Sequence, residues 1–320
     1  MASSNPFIVP DLVHKYGWDF LGYMANLGVN LPGNGQVFFV DSNATEASDV
    51  DDANHGHLMH KPLATLDYAI GLCTDGQGDV IILAPGHAET LIAATSCVVD
   101  KSDLTIVGLG TGLNRPKFSF GTATTATISV TSANVTIKNI QIASALANVA
   151  IGVTVGASAA GFWVEDCLFT DGGTATTELV IGLSLAAECD DVTVLNCTFQ
   201  TVTGGGCSSA IFATAGNDRL RIEGCHSYGY YTAANIDANA TTLHAGINIK
   251  DNVLVNMHAT GNCIELYTGT SGTVVRNMVG HTSGTIDEAI DGDDGVYLFE
   301  NYEVDAVAVS AILIPAALAQ

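Results

Sequence analysis

Positively charged residues are scarce in this chain of 320 residues. It contains 10 Lys and Arg against 33 Asp and Glu, which gives a formal net charge of −23 at pH 7. A surface of this sign repels phosphate polymers, because a nucleic-acid partner needs a basic face to neutralise its backbone. We therefore predict that the chain binds no nucleic acid.

A secretion signal and long apolar runs are also missing. Residues 1–35 contain no basic stretch followed by an apolar run and a small-residue cleavage site. No segment reaches the roughly 18 apolar residues that a membrane helix needs, so we predict no membrane partner. The chain is nevertheless 48% hydrophobic, which is enough for an extensive buried core.

The cysteines lack the spacing of a metal site or a disulfide framework. There are eight of them and no CxxC pair, in a chain large enough to be stable without cross-links. Helical periodicity is absent as well from residue 134 onward, where short alternating strands dominate. This excludes leucine-rich and helical repeats.

A strand motif recurs seven times between residues 134 and 302, with successive copies 23 to 30 residues apart. Each copy is a short alternating strand followed by an Asn, Asp or Gly corner, or by Glu300 in the last copy, as in "VTVLN" at 192–196. A period of this length indicates stacked supersecondary units. Registered on the apolar residue two places before the corner, the copies align on Ile137, Val164, Val194, Ile222, Ile249, Val275 and Leu298.

A second series of strands runs in phase with the first. Its members are centred on Val153, Leu183, Ile211, Ile236, Ile264 and Ile290. Two strand series in phase, joined by turns rich in Gly, Thr, Ala and Ser, predict an all-β fold: a right-handed parallel β-helix (solenoid). In such a stack equivalent residues lie about 4.8 Å apart, so Cys167, Cys197 and Cys225 are predicted to form an inward column of free thiols.

The segments before and after the repeats differ from the repeats in composition. We predict an N-terminal arm at 1–35, rich in aromatic and apolar residues, and a β-helix at 36–303 with one capping α-helix near 62–73. The apolar residues 304–320 are predicted to cap the stack or to contact another subunit. The arm either covers the end of the stack or inserts into a neighbouring protein.

Several phrases resemble known proteins. Four segments resemble the opening of pectate-lyase-like β-helix proteins: "VFFVDSN", "KPLATLDYAIGLCT", "GDVIILAPGHAETL" and "LTIVGLGTGLNRPKF". The first three also resemble the corresponding segments of a group of β-helix proteins encoded among the virion genes of tailed bacteriophages. The resemblance implies a virion structural protein on the capsid surface, most simply a decoration or cement protein. Its implied partners are the major capsid protein and two further copies in a homotrimer.

Two loops offer candidate metal ligands. The sequence "NHGHLMH" carries His55, His57 and His60, but without a helix to align them we predict a solvated loop. Two acidic runs could offer oxygen ligands to calcium, but neither has the spacing of a twelve-residue calcium loop. We predict no metal and no cofactor; the acidic runs contain Asp49, Asp51 and Asp52, and Asp291, Asp293 and Asp294.

Catalytic candidates in the coils are few, and we predict no catalytic residue and no enzyme. Asp190 and Asp191 are an isolated pair, and "RIE" at 221–223 lacks the Lys of the hydrolytic family members. Trp163 and the tyrosines of "YGYY" (Tyr228, Tyr230 and Tyr231) are the aromatic candidates for sugar binding. The predicted outward column favours ion pairing between coils: Lys138, Glu165, Leu195, Glu223, Lys250, Arg276 and Phe299.

The alternative that stays open is a tailspike-type adhesin or polysaccharide depolymerase, either a lyase or a hydrolase. A lyase that acts on uronates needs a base beside cations that neutralise the carboxylate of the substrate. A hydrolase needs two or three carboxylates around the scissile bond.

Overall fold

The computed structural model describes residues 35–52, 55–173, 176–202, 206–239, 242–282, 289–292, 295–305 and 311–314. The predicted arm at 1–35 lies outside the described residues except for Gly35. Three long sheets wind around one core, and from β2 to β27 consecutive strands of the chain belong to different sheets. Strands are numbered in chain order.

The first sheet, sheet A, has ten parallel strands in the described residues, one from each successive coil. Its members are β1 (Val37–Val40), β2 (Val80–Leu83), β5 (Thr105–Gly108), β8 (Thr136–Lys138), β11 (Trp163–Glu165), β14 (Thr193–Leu195), β17 (Arg221–Glu223), β20 (Ile247–Lys250), β23 (Gly272–Val275) and β26 (Val296–Phe299).

Sheet B has eight described strands, all parallel. They are β4 (Val98–Val99), β7 (Ile128–Val130), β10 (Val149–Val155), β13 (Leu179–Leu185), β16 (Ser209–Ala213), β19 (Ala234–Ala238), β22 (Asn262–Leu266) and β25 (Ile290–Asp291).

Sheet C has ten described strands, and only the last of them is antiparallel. They are β3 (Ala88–Leu91), β6 (Lys117–Phe120), β9 (Gln141–Ser144), β12 (Leu168–Thr170), β15 (Thr198–Gln200), β18 (His226–Gly229), β21 (Val253–Asn256), β24 (Met278–His281), β27 (Asn301–Asp305) and β28 (Ala311–Ile314). The predicted all-β solenoid is therefore confirmed. Sheet C was not separated from sheet A in the sequence, because only the corner residue and the residue after it join most of their strands.

That corner explains the recurring Asn, Asp and Gly. Between sheets A and C one residue takes a left-handed backbone conformation, which asparagine, aspartate and glycine adopt most readily. The φ values of these residues lie between 52° and 65°. The corner column consists of Asn139, Asp166, Asn196, Gly224, Asp251, Arg276 and Glu300.

The registers predicted from the sequence hold with one exception. In sheet B the predicted centres from Val153 to Ile290 are aligned from strand to strand. In sheet A, however, Ile249 pairs with Val274 rather than with the predicted Val275. The sixth copy was therefore registered one residue too late. Val275, not Arg276, occupies the outward column, and Arg276 is the corner.

The core column after each corner changes chemistry along the stack. Cys167, Cys197 and Cys225 are buried, as predicted, and their thiols donate to main-chain carbonyls inside the coils. The next three coils place buried asparagines at the same position. Each amide donates to the next along the stack, over 2.9 Å from Asn252 to Asn277 and 3.0 Å from Asn277 to Asn301.

The single helix among the described residues, α1, spans Leu66–Leu72. It begins four residues later than predicted, because Thr65 is the N-cap and its hydroxyl accepts a hydrogen bond from the Tyr68 amide. Its face of Leu66, Ala69 and Ile70 is buried against the first coils. No helix in the described part of the chain is long and apolar enough to cross a membrane.

Candidate functional site

The outer face of sheet A collects charged side chains at one register. Lys138 pairs with Glu165 on the next coil, and two coils further Glu223 pairs with Lys250. The ion pairing predicted between coils is confirmed at both places. The two clusters differ in what surrounds them.

The first cluster is built around Glu165. Lys138 Nζ lies 2.7 Å from Glu165 Oε2, and the indole nitrogen of Trp163 donates to the same oxygen over 3.0 Å. Trp163 and Glu165 lie two residues apart on β11, so both side chains project from the same face. Half-buried Trp163 therefore lies beside an ion pair, where its ring can contact the face of a sugar.

A projecting loop bounds this cluster on the side of sheet C. Residues 109–116 connect β5 to β6, and the exposed Leu113 lies on their single 3-10 turn. The amide of the corner residue Asn139 holds the base of the loop, donating to the carbonyl oxygens of Gly108 over 2.8 Å and Gly110 over 2.9 Å. The coils that follow turn the same corner with a single left-handed residue.

The loop brings two further cations to this edge. Arg115 is its penultimate residue, and Lys117, the first residue of β6, is exposed on sheet C. With Lys138 on sheet A, three of the ten basic residues of the chain lie around one corner. On a protein of net charge −23, this grouping of cations is a candidate site for an anionic group.

The corner residue beside Glu165 is Asp166. Asp166 is exposed to solvent. Partial desolvation by the surrounding residues, followed by the negative charge of Glu165, raises its pKa above the ordinary value, and Arg115 and Lys138 offset part of the rise. One carboxyl group therefore holds its proton longer than usual beside a carboxylate that is paired with a lysine. We call the charged and aromatic residues around this corner the corner site. They are Arg115, Lys117, Lys138, Trp163, Glu165 and Asp166.

The second cluster lacks these features. Glu223 contacts Arg221 as well as Lys250, and the corner that follows it is Gly224. Burial alone would raise the pKa of Glu223, but its bonds with Arg221 and Lys250 outweigh burial and lower it. No second carboxyl follows it, so this cluster offers an ion pair and no proton donor.

The histidine loop and the first acidic run have structural contacts. His55 Nδ1 lies 2.9 Å from Asp52, and the ring of His57 lies 4.9 Å from that of Phe38. Asp49 accepts hydrogen bonds from the Ala64 and Thr65 amides and the Thr65 hydroxyl, at 2.8–3.1 Å, just before α1. No group of three or more His, Cys, Asp and Glu in the described residues is arranged to hold a metal.

Two further groups named in the sequence analysis are ion-paired: the isolated pair Asp190 and Asp191, and Arg276. Arg219 binds Asp191 at 2.5 Å and Asp190 at 3.3 Å, and the bond from Arg219 lowers the pKa of Asp191. Arg276, at its corner position, binds Asp251 at 2.7 Å. Neither group provides a proton donor.

The aromatic candidates separate in the structure. Tyr231 is buried in the core, whereas Tyr228 is exposed on sheet C and far from Trp163 along the stack. The tyrosines of "YGYY" therefore do not form the exposed cluster that sugar binding would need. Trp163 is the candidate that the structure places beside charged groups.

One group of carboxylates escaped the sequence analysis. Asp237, Glu265 and Asp291 lie on successive strands of sheet B and face outward. Burial raises the pKa of both Asp237 and Glu265. Each acidic residue directly follows a predicted strand centre. The predicted register of Ile236, Ile264 and Ile290 would therefore have indicated that the three carboxylates are aligned. This column has no cation beside it among the described contacts.

Comparisons with known proteins found similarity in structure alone. No protein-family model and no curated protein matches the chain. A rhamnogalacturonan lyase superposes with a TM-score of 0.56 at 16% identity, over 77% of this chain and 69% of the lyase. They share the fold.

Two further solved β-helices superpose less well. An alginate lyase from Paenibacillus sp. strain FPU-7 gives a TM-score of 0.48 at 16% identity, over 79% of this chain and 93% of that one. A pectate lyase from a Bacillus species gives 0.44 at 12% identity, over 88% and 86%. The resemblance to pectate-lyase-like β-helices is thus confirmed at the level of the fold.

These comparisons contradict the prediction that the chain is not an enzyme. That prediction rested on the few basic residues in the coils and on the missing signatures of the hydrolytic family members. A solved chain with the same fold is named a rhamnogalacturonan lyase, so these absences do not exclude an enzyme. The virion location and the capsid partner stay predictions.

Proposed function

We propose that the protein binds an acidic polysaccharide at the corner site and cleaves it. The observation that carries the proposal is the juxtaposition of Asp166, whose carboxyl pKa is raised, with the Lys138–Glu165 ion pair and the ring of Trp163. We assign Asp166, whose pKa is raised, as the acid and Glu165 as the base. The nearby cations neutralise the acid groups of the polymer.

The placement of the two carboxyls favours β-elimination over inverting hydrolysis. Glu165 ends β11 on the outer face of sheet A, and Asp166 is the exposed left-handed corner residue after it, so we place both carboxyls on the solvent side of one corner. Inverting hydrolysis needs carboxyls on opposite faces of the sugar ring, with space for a water between them. Elimination needs only a base for the proton next to the substrate carboxylate and an acid for the leaving oxygen.

The proposed reaction assigns a role to each residue. Arg115 and Lys117 bind the carboxylate of a uronate, which makes its C5 proton more acidic. Glu165 takes that proton, a double bond forms between C4 and C5, and the C4–O bond breaks. Asp166 gives its proton to the departing oxygen, and the two carboxyls return to their starting states through water.

Single substitutions test these roles. Glu165→Gln and Asp166→Asn should each lower kcat for an acidic polysaccharide at least about a hundredfold, the usual effect of losing a general acid or base. The matched control is Glu223→Gln, which has the same register and an ion pair but precedes Gly224. It should change kcat less than about threefold.

The assay is run on a panel of acidic polysaccharides, with ultraviolet absorbance of unsaturated uronates and new reducing ends measured together. Reducing ends without unsaturated product would indicate hydrolysis and contradict the elimination. If the intact protein releases neither from any acidic polymer, or if Glu223→Gln is as damaging as Glu165→Gln, the assigned site is wrong.

The location we propose is the virion of a tailed bacteriophage, with the capsid surface and its major capsid protein as first candidate. Its support is the resemblance of phrases between residues 37 and 118. A depolymerase of the tailspike type would instead sit on the tail. Cryo-electron microscopy of purified particles distinguishes the two, and absence of the protein from particles would refute both.

A further inference from the structure

The outer surface of sheet C changes from polar to apolar along the stack. Its early strands present mostly polar or charged side chains at the two outward positions, among them Lys117, Gln141, Thr170 and Gln200. The last three parallel strands present uncharged and mainly apolar side chains there. These are Val253 and Val255 on β21, Met278 and Gly280 on β24, and Tyr302 and Val304 on β27.

This surface is open. Met278 is 53% exposed, Tyr302 48% and Val304 46%, and a cleft of about 300 Å³ runs between Met278, Val304 and the two valines of β21. We call it face C. Large aliphatic and aromatic side chains held in contact with water at neighbouring positions are a recognised sign of an interaction surface.

A second apolar surface lies around the corner at the same end. On the outer side of sheet A, β26 exposes Tyr297 at 76% and Phe299 at 45%, next to the uncharged Thr273 and Val275 of β23. We call this face A. The corner residue Glu300 separates it from face C, so the two apolar faces form the flanks of one edge.

The charge of the chain identifies what these faces can bind. Two copies of a protein with a net charge of −23 repel each other wherever their acidic surfaces approach. The outward positions of face A and face C carry no charged side chain, so here two copies can meet without opposing carboxylates. A different protein with a basic surface would be attracted by the acidic residues of this chain, and the outward positions of these faces carry none.

We propose that three copies of this chain associate side by side at their C-terminal ends, with face A of each copy packed on face C of the next. A two-fold dimer would place like faces together and leave the other face of each copy in water. A cyclic arrangement joins unlike faces and buries both. Three copies form the smallest ring in which every face A packs on a face C.

The full chain tests this by mass in solution. At about 10 μM the intact protein should have roughly three times the 33.0 kDa of one chain. Met278→Glu on face C and Tyr297→Glu on face A should each raise the dissociation constant at least tenfold and yield monomers, because a charge would be buried without a partner. Ile92→Glu is the matched control, since Ile92 is 61% exposed far from both faces.

Mixing the two variants is the decisive measurement. In the cyclic arrangement the Met278→Glu chain retains a working face A and the Tyr297→Glu chain a working face C, so an equimolar mixture should form heterodimers. A dimer that resists Tyr297→Glu but not Met278→Glu would show two-fold contact through face C and overturn the ring. A monomeric intact chain would show that the copies do not associate. Trimers that survive both substitutions would show that they associate through other surfaces.

Discussion

At the residue scale, the position of a cysteine in the core column determines the reactivity of its thiol. Cys197 lies between Cys167 and Cys225 in the core column, and burial, then contact with these two thiols, raises its pKa well above the ordinary value. All three thiols are buried and closed to a reagent, so they should remain unlabelled by a maleimide probe at pH 7.5 until the protein is unfolded. Stoichiometric labelling of the native protein within minutes would contradict the inward column.

This column could be predicted because its cause is local. The corner before each cysteine requires a left-handed backbone, which selects Asn, Asp or Gly, and the next residue must point inward. The corner site lacks such a local cause. Arg115 lies 51 positions before Asp166, and only the length of loop 109–116 and its anchoring by Asn139 bring the two charges near each other.

Asp237 gives a second prediction at the residue scale. Burial raises its pKa in the folded state above the ordinary 3.8. Both states bind the proton below that value, and stability is lost as pH rises through the folded pKa. Asp237→Asn should therefore raise the melting temperature at pH 7 and lose this advantage near pH 3.

The control for this prediction carries the opposite sign. Hydrogen bonds from Ser102 lower the pKa of Asp75, so its contribution is present at neutral pH and is lost as pH falls. Asp75→Asn should lower the melting temperature at pH 7 and have little effect near pH 3. Parallel pH profiles of the two variants would refute the assignment for Asp237.

At the scale of an element, the asparagine ladder holds the last coils together. Asn277 accepts hydrogen bonds from the Asn252 main-chain and side-chain amides and donates to Asn301 and the Ile249 carbonyl. Asn277→Ala would strand these buried partners, at a cost of roughly 2–4 kcal/mol in the free energy of unfolding. Urea denaturation measures it, with Thr273→Ala on the outer face of the same coil as control.

A loss below about 1 kcal/mol in the free energy of unfolding would show that water replaces the amide.

The same coil is the one whose register was predicted wrongly from the sequence. In "GTVVRNMV" the Asn was taken as the corner, since asparagine favours the left-handed conformation. The structure instead uses Asn277 inside the ladder and places Arg276 at the corner, where it pairs with Asp251. Two roles competed for one residue type, and contact with a neighbouring coil decided between them.

At the scale of the molecule, the uneven distribution of charge governs how an acidic polymer approaches. The net charge of −23 repels it at a distance, while in our proposal Arg115, Lys117 and Lys138 attract it at the corner site. Salt screens the long-range repulsion first, because the Debye length falls from about 30 Å at 0.01 M to about 10 Å at 0.1 M. The contacts at the site are weakened only at higher concentrations.

The KM for an acidic polysaccharide should therefore pass through a minimum near 0.1 M salt and rise again towards 1 M, where the Debye length is about 3 Å. Lys117→Gln removes an attractive contact and leaves the distant repulsion almost unchanged. It should raise KM at 0.1 M and flatten the rise towards 1 M. A KM that increases steadily from 0.01 M, as it does for proteins that attract their substrate over long range, would show that the net charge of the stack does not influence the encounter.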